Sequence, residues 1–272
     1  MHGSHAMNKN RDLDLLDRLA DAASDAILPH FRKLPGVVNK AETGFDPVTI
    51  ADRNAELAMR ELLAAERPDD AIFGEEYDAV AGTSGRTWIL DPIDGTRGFM
   101  SGLPTWGVLI ALADESGPTL GMMCQPYVGE RFVGGAEGAT LTHNGETQPL
   151  RTRPCADLAE AVLASTGPQH FEPQDYAAFQ QVATRCRLVR YGTDCYAYAM
   201  LAAGQIDVVV EAGLKPVDIA PFVPIIEAAG GALVDWSGQR IGPTLPHGFA
   251  GQVVAVGDPT LLDAVLAALR AA

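Results

Sequence analysis

Trp88-Ile89-Leu90-Asp91-Pro92-Ile93-Asp94-Gly95-Thr96 opens as an apolar strand and closes in two carboxylates, a glycine and a hydroxyl. Proline has no backbone N–H and a fixed φ, so Pro92 predicts that the strand stops at Asp91. Asp91 and Asp94 are then expected on the turn past the strand's C-terminal end, where open α/β sheets bind ligands. Gly95 permits close backbone approach, and the N–H groups of Gly95 and Thr96 offer a cradle for an anion. Two hard carboxylates beside an anion pocket suit Mg²⁺ bridging to a phosphate. Read alone, D-x-x-D-G-T fits an Asp-rich turn equally well, because Asp, Pro and Gly dominate turns. The rest of the chain has to decide.

The chain has 272 residues, enough for one large domain or two small ones. Its hydrophobic fraction of 47% is that of an ordinary globular protein. A net charge of −15 argues against nucleic acid or an anionic membrane as partner. It does not argue against a small phosphorylated metabolite, provided metal ions carry the local positive charge. Cys124, Cys155, Cys186 and Cys195 form no C-x-x-C pair and no zinc spacing, so they read as reduced thiols of a cytoplasmic protein. No apolar run reaches the roughly 18 residues of a membrane span. Residues 1–7 read as a cloning remnant, since they lack the apolar stretch of a signal peptide.

Leu13, Leu16, Leu19, Ala20, Ala23 and Ile27 recur at helical spacing and predict a helix over Asp12–Arg32. Leu34–Thr43 reads as irregular, and Thr49–Ala65 as helical. Ala71-Ile72-Phe73 reads as a short strand leading into Gly74-Glu75-Glu76, a glutamate pair that solvation alone would explain. Trp106–Ala113, Thr119–Gln125 and Glu130–Gly134 read as successive strands, and Asn144-Gly145 as a tight hairpin. Arg151–Ala159 has a linker's composition. It divides residues 8–150, an α+β half carrying the metal site, from residues 151–272, an α/β half completing the site and the substrate pocket. In the second half, predicted strands at Leu163–Ser165, Arg187–Val189, Ile206–Glu211, Ala232–Asp235 and Gln252–Val256 alternate with helices at Asp175–Arg185, Asp194–Ala203, Ala220–Ala229 and Pro259–Leu269. The pattern fits layered α/β packing.

Asp46, Glu75, the Asp91/Asp94 pair and Asp218 each sit at a strand end or a helix start. Asp46-Pro-Val-Thr-Ile-Ala-Asp52, Gly74-Glu-Glu76, Trp88–Thr96 and Val217-Asp218 together resemble the inositol monophosphatase family of Mg²⁺-dependent, lithium-sensitive phosphatases. The resemblance runs from about Leu13 to Leu269. It implies an αβαβα sandwich of the inositol monophosphatase/fructose-1,6-bisphosphatase type, a homodimer, and two to three Mg²⁺ per active site. It assigns Glu75, Asp91 and the carbonyl of Ile93 to a first metal, and Asp91, Asp94 and Asp218 to a second. A third, weaker site draws on Glu75 and water. Asp46 and Thr96 polarise the attacking water, with Glu75 counted among the catalytic groups. Asp94 and the N–H groups of Gly95 and Thr96 bind phosphate.

The chain departs from the usual pattern at two places. Lys215-Pro216-Val217 stands where inositol monophosphatases usually have His-Cys-Trp, and Asp194 stands where a small residue usually follows Gly-Thr. Gly192-Thr193-Asp194, Gln125-Pro126…Glu130-Arg131 and Glu211–Pro216 look like the histidinol-phosphate phosphatase branch, with Gly192, Thr193, Asp194 and Glu211 as substrate residues. The alternative reading of Asp194 is the cap of the helix after it. Inositol-1-monophosphate, or another small sugar phosphate, is the alternative substrate. A phosphatase of the haloacid-dehalogenase type is disfavoured, since its D-x-D-G-T loop lacks the D-P-I-D spacing. A binding protein without activity is disfavoured because every expected metal carboxylate and Thr96 is present.

Overall fold

The computed structural model describes residues 2–33, 37–39, 47–242 and 245–271. Strand β4 (Thr87–Asp94) faces two cores at once. A strand's side chains alternate, so Trp88 and Leu90 pack on one side and Ile89 on the other. The first side meets two helices, α1 (His2–Ile27) and α2 (Ile50–Glu66), through Leu15, Leu19, Ala55, Met59 and Leu63. The second side meets α5 (Cys195–Ala202) and α7 (Phe222–Ala229).

β4 belongs to a seven-stranded sheet that also holds β3 (Ala71–Gly74), β5 (Gly107–Asp114), β6 (Gly117–Gln125), β7 (Glu130–Gly135), β8 (Gly138–His143) and β9 (Glu146–Pro149), in that spatial order. β3 and β4 run parallel, and β4 to β9 form an antiparallel meander. Asn144 and Gly145 turn β8 into β9 with φ of 52° and 79°, both left-handed as a type I′ hairpin requires.

The second sheet is mixed, in the order β11 (Leu188–Tyr191), β10 (Val162–Ser165), β12 (Val208–Glu211), β14 (Val253–Val256), β13 (Ala232–Val234). One face packs on α5 and α7 through Ala164, Val209 and Ala255. The other packs on α4 (Pro173–Ala183) and α8 (Leu262–Leu269) through Val208, Val210, Val254 and Val256. The layers therefore run helix, sheet, helix, sheet, helix, which is the expected αβαβα sandwich. α7 lies almost on the first sheet. A Cβ added at Gly121 would fall 2.1 Å from the Pro221 carbonyl oxygen, and one at Gly134 2.2 Å from the Ile225 Cα. Only glycine lets those backbones approach so closely.

Four expectations need correction. β4 does not stop at Asp91 but continues to Asp94. Asp91 pairs with Leu109 and Asp94 with Gly107, so three steps on β4 oppose two on β5. That extra residue is a bulge, where Pro92 needs no ladder hydrogen bond. The first helix ends at Ile27 rather than Arg32, because Pro29 cannot donate to the next turn, and it reaches back to His2. Val37–Asn39 is not irregular but a strand, β1, paired antiparallel with β2 (Pro47–Thr49). The helix expected over Ala220–Ala229 is split from a one-turn helix, α6 (Pro216–Ile219), and begins at Phe222 after Pro221.

Candidate active site

The C-terminal ends of β3, β4, β10 and β12 converge on one cavity of about 280 Å³. Its walls include Glu75 just after β3, Asp91 and Asp94 on β4, Glu211 at the end of β12, and Asp218 on α6. α6 touches β4 directly, which is how the second half of the chain delivers Asp218 to the first half's carboxylates. Glu75 is set by α2. Buried Glu56 accepts from the Glu76 N–H at 2.7 Å and from Arg60 Nε at 2.7 Å, which fixes the turn that carries Glu75. The Gly74-Glu75-Glu76 turn is therefore anchored rather than merely solvated.

Asp91, Asp94 and Asp218 each present a carboxylate oxygen within 4.8 Å of the others. Asp91 is 1% exposed. Burial raises its pKa well above the ordinary value, and Glu75, Asp94 and Asp218 add like-charge repulsion. Burial likewise raises Asp94, with Asp218 and Asp194 adding to it. Asp218 is pushed up to about 7 by burial and by Glu75. Such crowding is costly unless a cation shares the oxygens. The donors are all hard oxygen ligands, with no His or Cys in the cluster, so they fit Mg²⁺ or a similar hard divalent ion.

Local hydrogen bonds hold these carboxylates in place. The Ile93 N–H donates to Asp91 Oδ1 at 3.0 Å, and the Cys195 N–H to Asp94 Oδ2 at 2.8 Å. The Lys215 N–H donates to Asp218 Oδ2 at 2.7 Å, and Lys215 Nζ to Glu75 Oε1 at 3.0 Å. Gly95 has φ of 81° and turns the chain into a short helix, α3 (Thr96–Met100). Thr96 Oγ1 donates to the Ile93 carbonyl at 3.1 Å. That carbonyl keeps a second lone pair for a cation.

The far wall carries a second carboxylate pair. Glu211, 3% exposed, accepts from the Thr166 N–H and hydroxyl at 2.5 and 2.6 Å and from the Tyr198 hydroxyl at 3.2 Å. Burial pushes it up to about 7. Asp194 also lines the cavity, and burial raises it to about 6 against the opposing pull of Arg97. It stands at the N-terminus of α5 but makes no capping bond, and its φ of 43° is strained for a non-glycine residue. The capping alternative therefore does not describe its side chain.

Gly192 and Thr193 are not among the residues lining the cavity. They shape the loop behind Asp194, with the Gly192 N–H donating to the Thr166 carbonyl at 3.0 Å. The Gln125/Glu130/Arg131 segment is structural. Gln125 Nε2 holds the Trp106 carbonyl at 3.1 Å, Glu130 accepts from Tyr196, and Arg131 binds Asp17 and Asp21 of α1. Asp46 lies outside the described residues; β2, which follows it, packs on α3. Sequence reading missed Arg97, Ser165, Thr166 and His170, all of which line the cavity. Ser165 ends β10, so the strand-end rule that singled out Asp94 was available for it too. Arg97 and His170 meet in the cavity wall, Nη1 to Nε2 at 2.7 Å, and no local sequence signal foretells that pairing.

Residues 10–272 match the model of the inositol monophosphatase family. The chain belongs to that family. Members are metal-dependent phosphatases acting on phosphoric monoesters, and this chain is such an enzyme. It is 40% identical to the bifunctional phosphatase IMPL2, chloroplastic, of Arabidopsis thaliana, over 93% of this chain and 73% of that protein. It is 36% identical to the histidinol-phosphatase of Chlorobaculum parvum, over 84% and 87% of the two chains. Among solved structures, an inositol monophosphatase from Zymomonas mobilis superposes with a TM-score of 0.84 at 41% identity, covering 96% of this chain and 98% of that one. The inositol monophosphatase fold thus extends over nearly the whole molecule.

Proposed function

We propose that this family member hydrolyses L-histidinol phosphate to L-histidinol and phosphate, a step of histidine biosynthesis, with Mg²⁺ as its metal. The observation that carries the reading is the second carboxylate pair, Asp194 and Glu211, in the same cavity as the Asp91/Asp94/Asp218 cluster. A substrate bearing an ammonium and an imidazole gains charge-assisted hydrogen bonds from carboxylates beyond the phosphate pocket. A water oxygen joins phosphorus, the phosphorus–ester oxygen bond breaks, and the leaving alcohol oxygen takes a proton. When bound, Mg²⁺ supplies positive charge for the phosphate and the attacking water. Glu75, Asp91, the Ile93 carbonyl, Asp94 and Asp218 hold the ions. The N–H groups of Gly95 and Thr96 bind the phosphate, and Asp46 and Thr96 orient the water. No side chain acts as nucleophile, so no phosphoenzyme forms.

Relatives of both names support keeping a second reading. The Chlorobaculum protein is a histidinol-phosphatase and the Zymomonas one an inositol monophosphatase. Glu211 already accepts from the hydroxyls of Thr166 and Tyr198, so it suits an inositol hydroxyl as well. The same reading places the enzyme in the cytoplasm as a homodimer without nucleic-acid or membrane partners; light scattering giving a monomer mass would refute the dimer. Among the described residues no helix is long and apolar enough to cross a membrane. The test is a panel of phosphate monoesters with Mg²⁺. We expect kcat/KM for histidinol phosphate to exceed that for inositol-1-phosphate by at least about tenfold, the scale of selectivity that a few site contacts give. A preference for inositol phosphate would make the second reading correct.

A further inference from the structure

Lys215 touches two of the cavity's carboxylates, Asp218 through its N–H and Glu75 through its ammonium. Its backbone is held on both sides. Pro216 restricts the residue before it to extended conformations, and Lys215 has φ −91° and ψ 162°. Its N–H is fixed on Asp218 Oδ2 at 2.7 Å. From that anchor its side chain crosses from α6 to the turn after β3, where Nζ meets Glu75 Oε1 at 3.0 Å. Glu75 is mostly enclosed, with its side chain 15% exposed, whereas the Lys215 side chain is 50% exposed. A flexible ammonium at the rim thus sits on an enclosed carboxylate that is needed as a metal ligand.

We infer that Lys215 is a tethered cation that holds Glu75 when no divalent ion is bound and gives it up on metal loading. The inference rests on the reading of Glu75 as a metal ligand. The ammonium and the metal use the same carboxylate, so each weakens the other's hold on it. The exposed end of Lys215 has water to move into, and its four-carbon stem has the rotamers to do so. Lys215 is in this sense a positioning residue: it acts on the metal site through Glu75.

The test is calorimetric titration of chelator-treated full-length protein with Mg²⁺, comparing wild type, Lys215→Met and Lys215→Arg. We expect Lys215→Met to bind Mg²⁺ more tightly by roughly fivefold, the ratio that corresponds to one exposed ion pair. Lys215→Arg should stay close to wild type because it keeps the charge. The metal-free Lys215→Met protein should also melt lower than metal-free wild type, and the difference should close at saturating Mg²⁺. A folded Lys215→Met with unchanged or weaker Mg²⁺ affinity overturns the inference; if that variant does not fold, Lys215→Gln is read by the same criterion. A wild type that gives no Mg²⁺ binding at all overturns the metal reading and this inference with it. The two failures are therefore distinguishable.

Discussion

Asp94 is held by the Cys195 N–H on one oxygen and faces Asp218 and Asp194 with its charge. Asparagine can keep the hydrogen bond through its own carbonyl oxygen and lose the charge. We expect Asp94→Asn to lower kcat by at least about 100-fold, the cost of removing one preorganised electrostatic group. Its metal-free melting temperature should hold or rise, because one member of a mutually repelling set is gone. Near-normal kcat, or a metal-free protein that unfolds at ambient temperature, contradicts the assignment. Glu75, Asp91, Asp94, Thr96 and Asp218 stand out in the sequence because they sit in short motifs, and all five line the cavity. Ser165, Thr166, Arg97 and His170 join the site singly, from loops and strand ends far apart in the chain, and only the fold brings them together. Gly192 and Thr193 are not among the cavity's lining residues, since neighbours of Asp194 in sequence need not share its direction.

At the scale of elements, hydrophobic periodicity was sufficient for α2 and for the central strands β5 to β7, whose bounds move by only a residue or two. It was insufficient where backbone chemistry decides. Pro92 reads as a stop, yet a bulge accommodates it inside β4. β1 and β2 have three residues each, too few for alternation to register. The helix–sheet contact at Gly121 and Gly134 leads to a further prediction. Gly134→Ala would push a methyl against the α7 backbone at Ile225, which cannot move aside as a side-chain tip would. Overpacking of this kind costs about 1–3 kcal/mol. The variant should melt several degrees lower, and an unchanged melting temperature in a thermal scan contradicts so close a packing of α7 on the sheet.

For the whole molecule, the acidic cavity sets a pH dependence. Glu211 is raised to about 7 from 4.5 and Asp194 to about 6 from 3.8, both by burial first. The fold therefore binds these protons more tightly than the unfolded chain does. Their stabilising effect is full below the unfolded values and is lost as pH rises through about 6 to 7. His170, lowered by burial and by Arg97, opposes them, but it is one imidazole against Glu211, Asp194 and Asp218. Glu66 and Asp258 also shift the other way, but at the surface, where screening leaves them little weight. The chelated protein should thus melt lower at pH 8 than at pH 5, and Mg²⁺ should reduce the difference; a chelated melting temperature that is flat or rises over that range contradicts it. We propose that Asp194, the extra carboxylate of this metal-dependent phosphatase cavity, selects a cationic substrate. The most direct test is kcat/KM for histidinol phosphate and for inositol-1-phosphate, with Mg²⁺, in wild type and Asp194→Ala. Wild type should prefer histidinol phosphate, and Asp194→Ala should lose at least about tenfold more on it than on the neutral alcohol's phosphate. Equal losses on both substrates, or a wild type that prefers inositol phosphate, would contradict it.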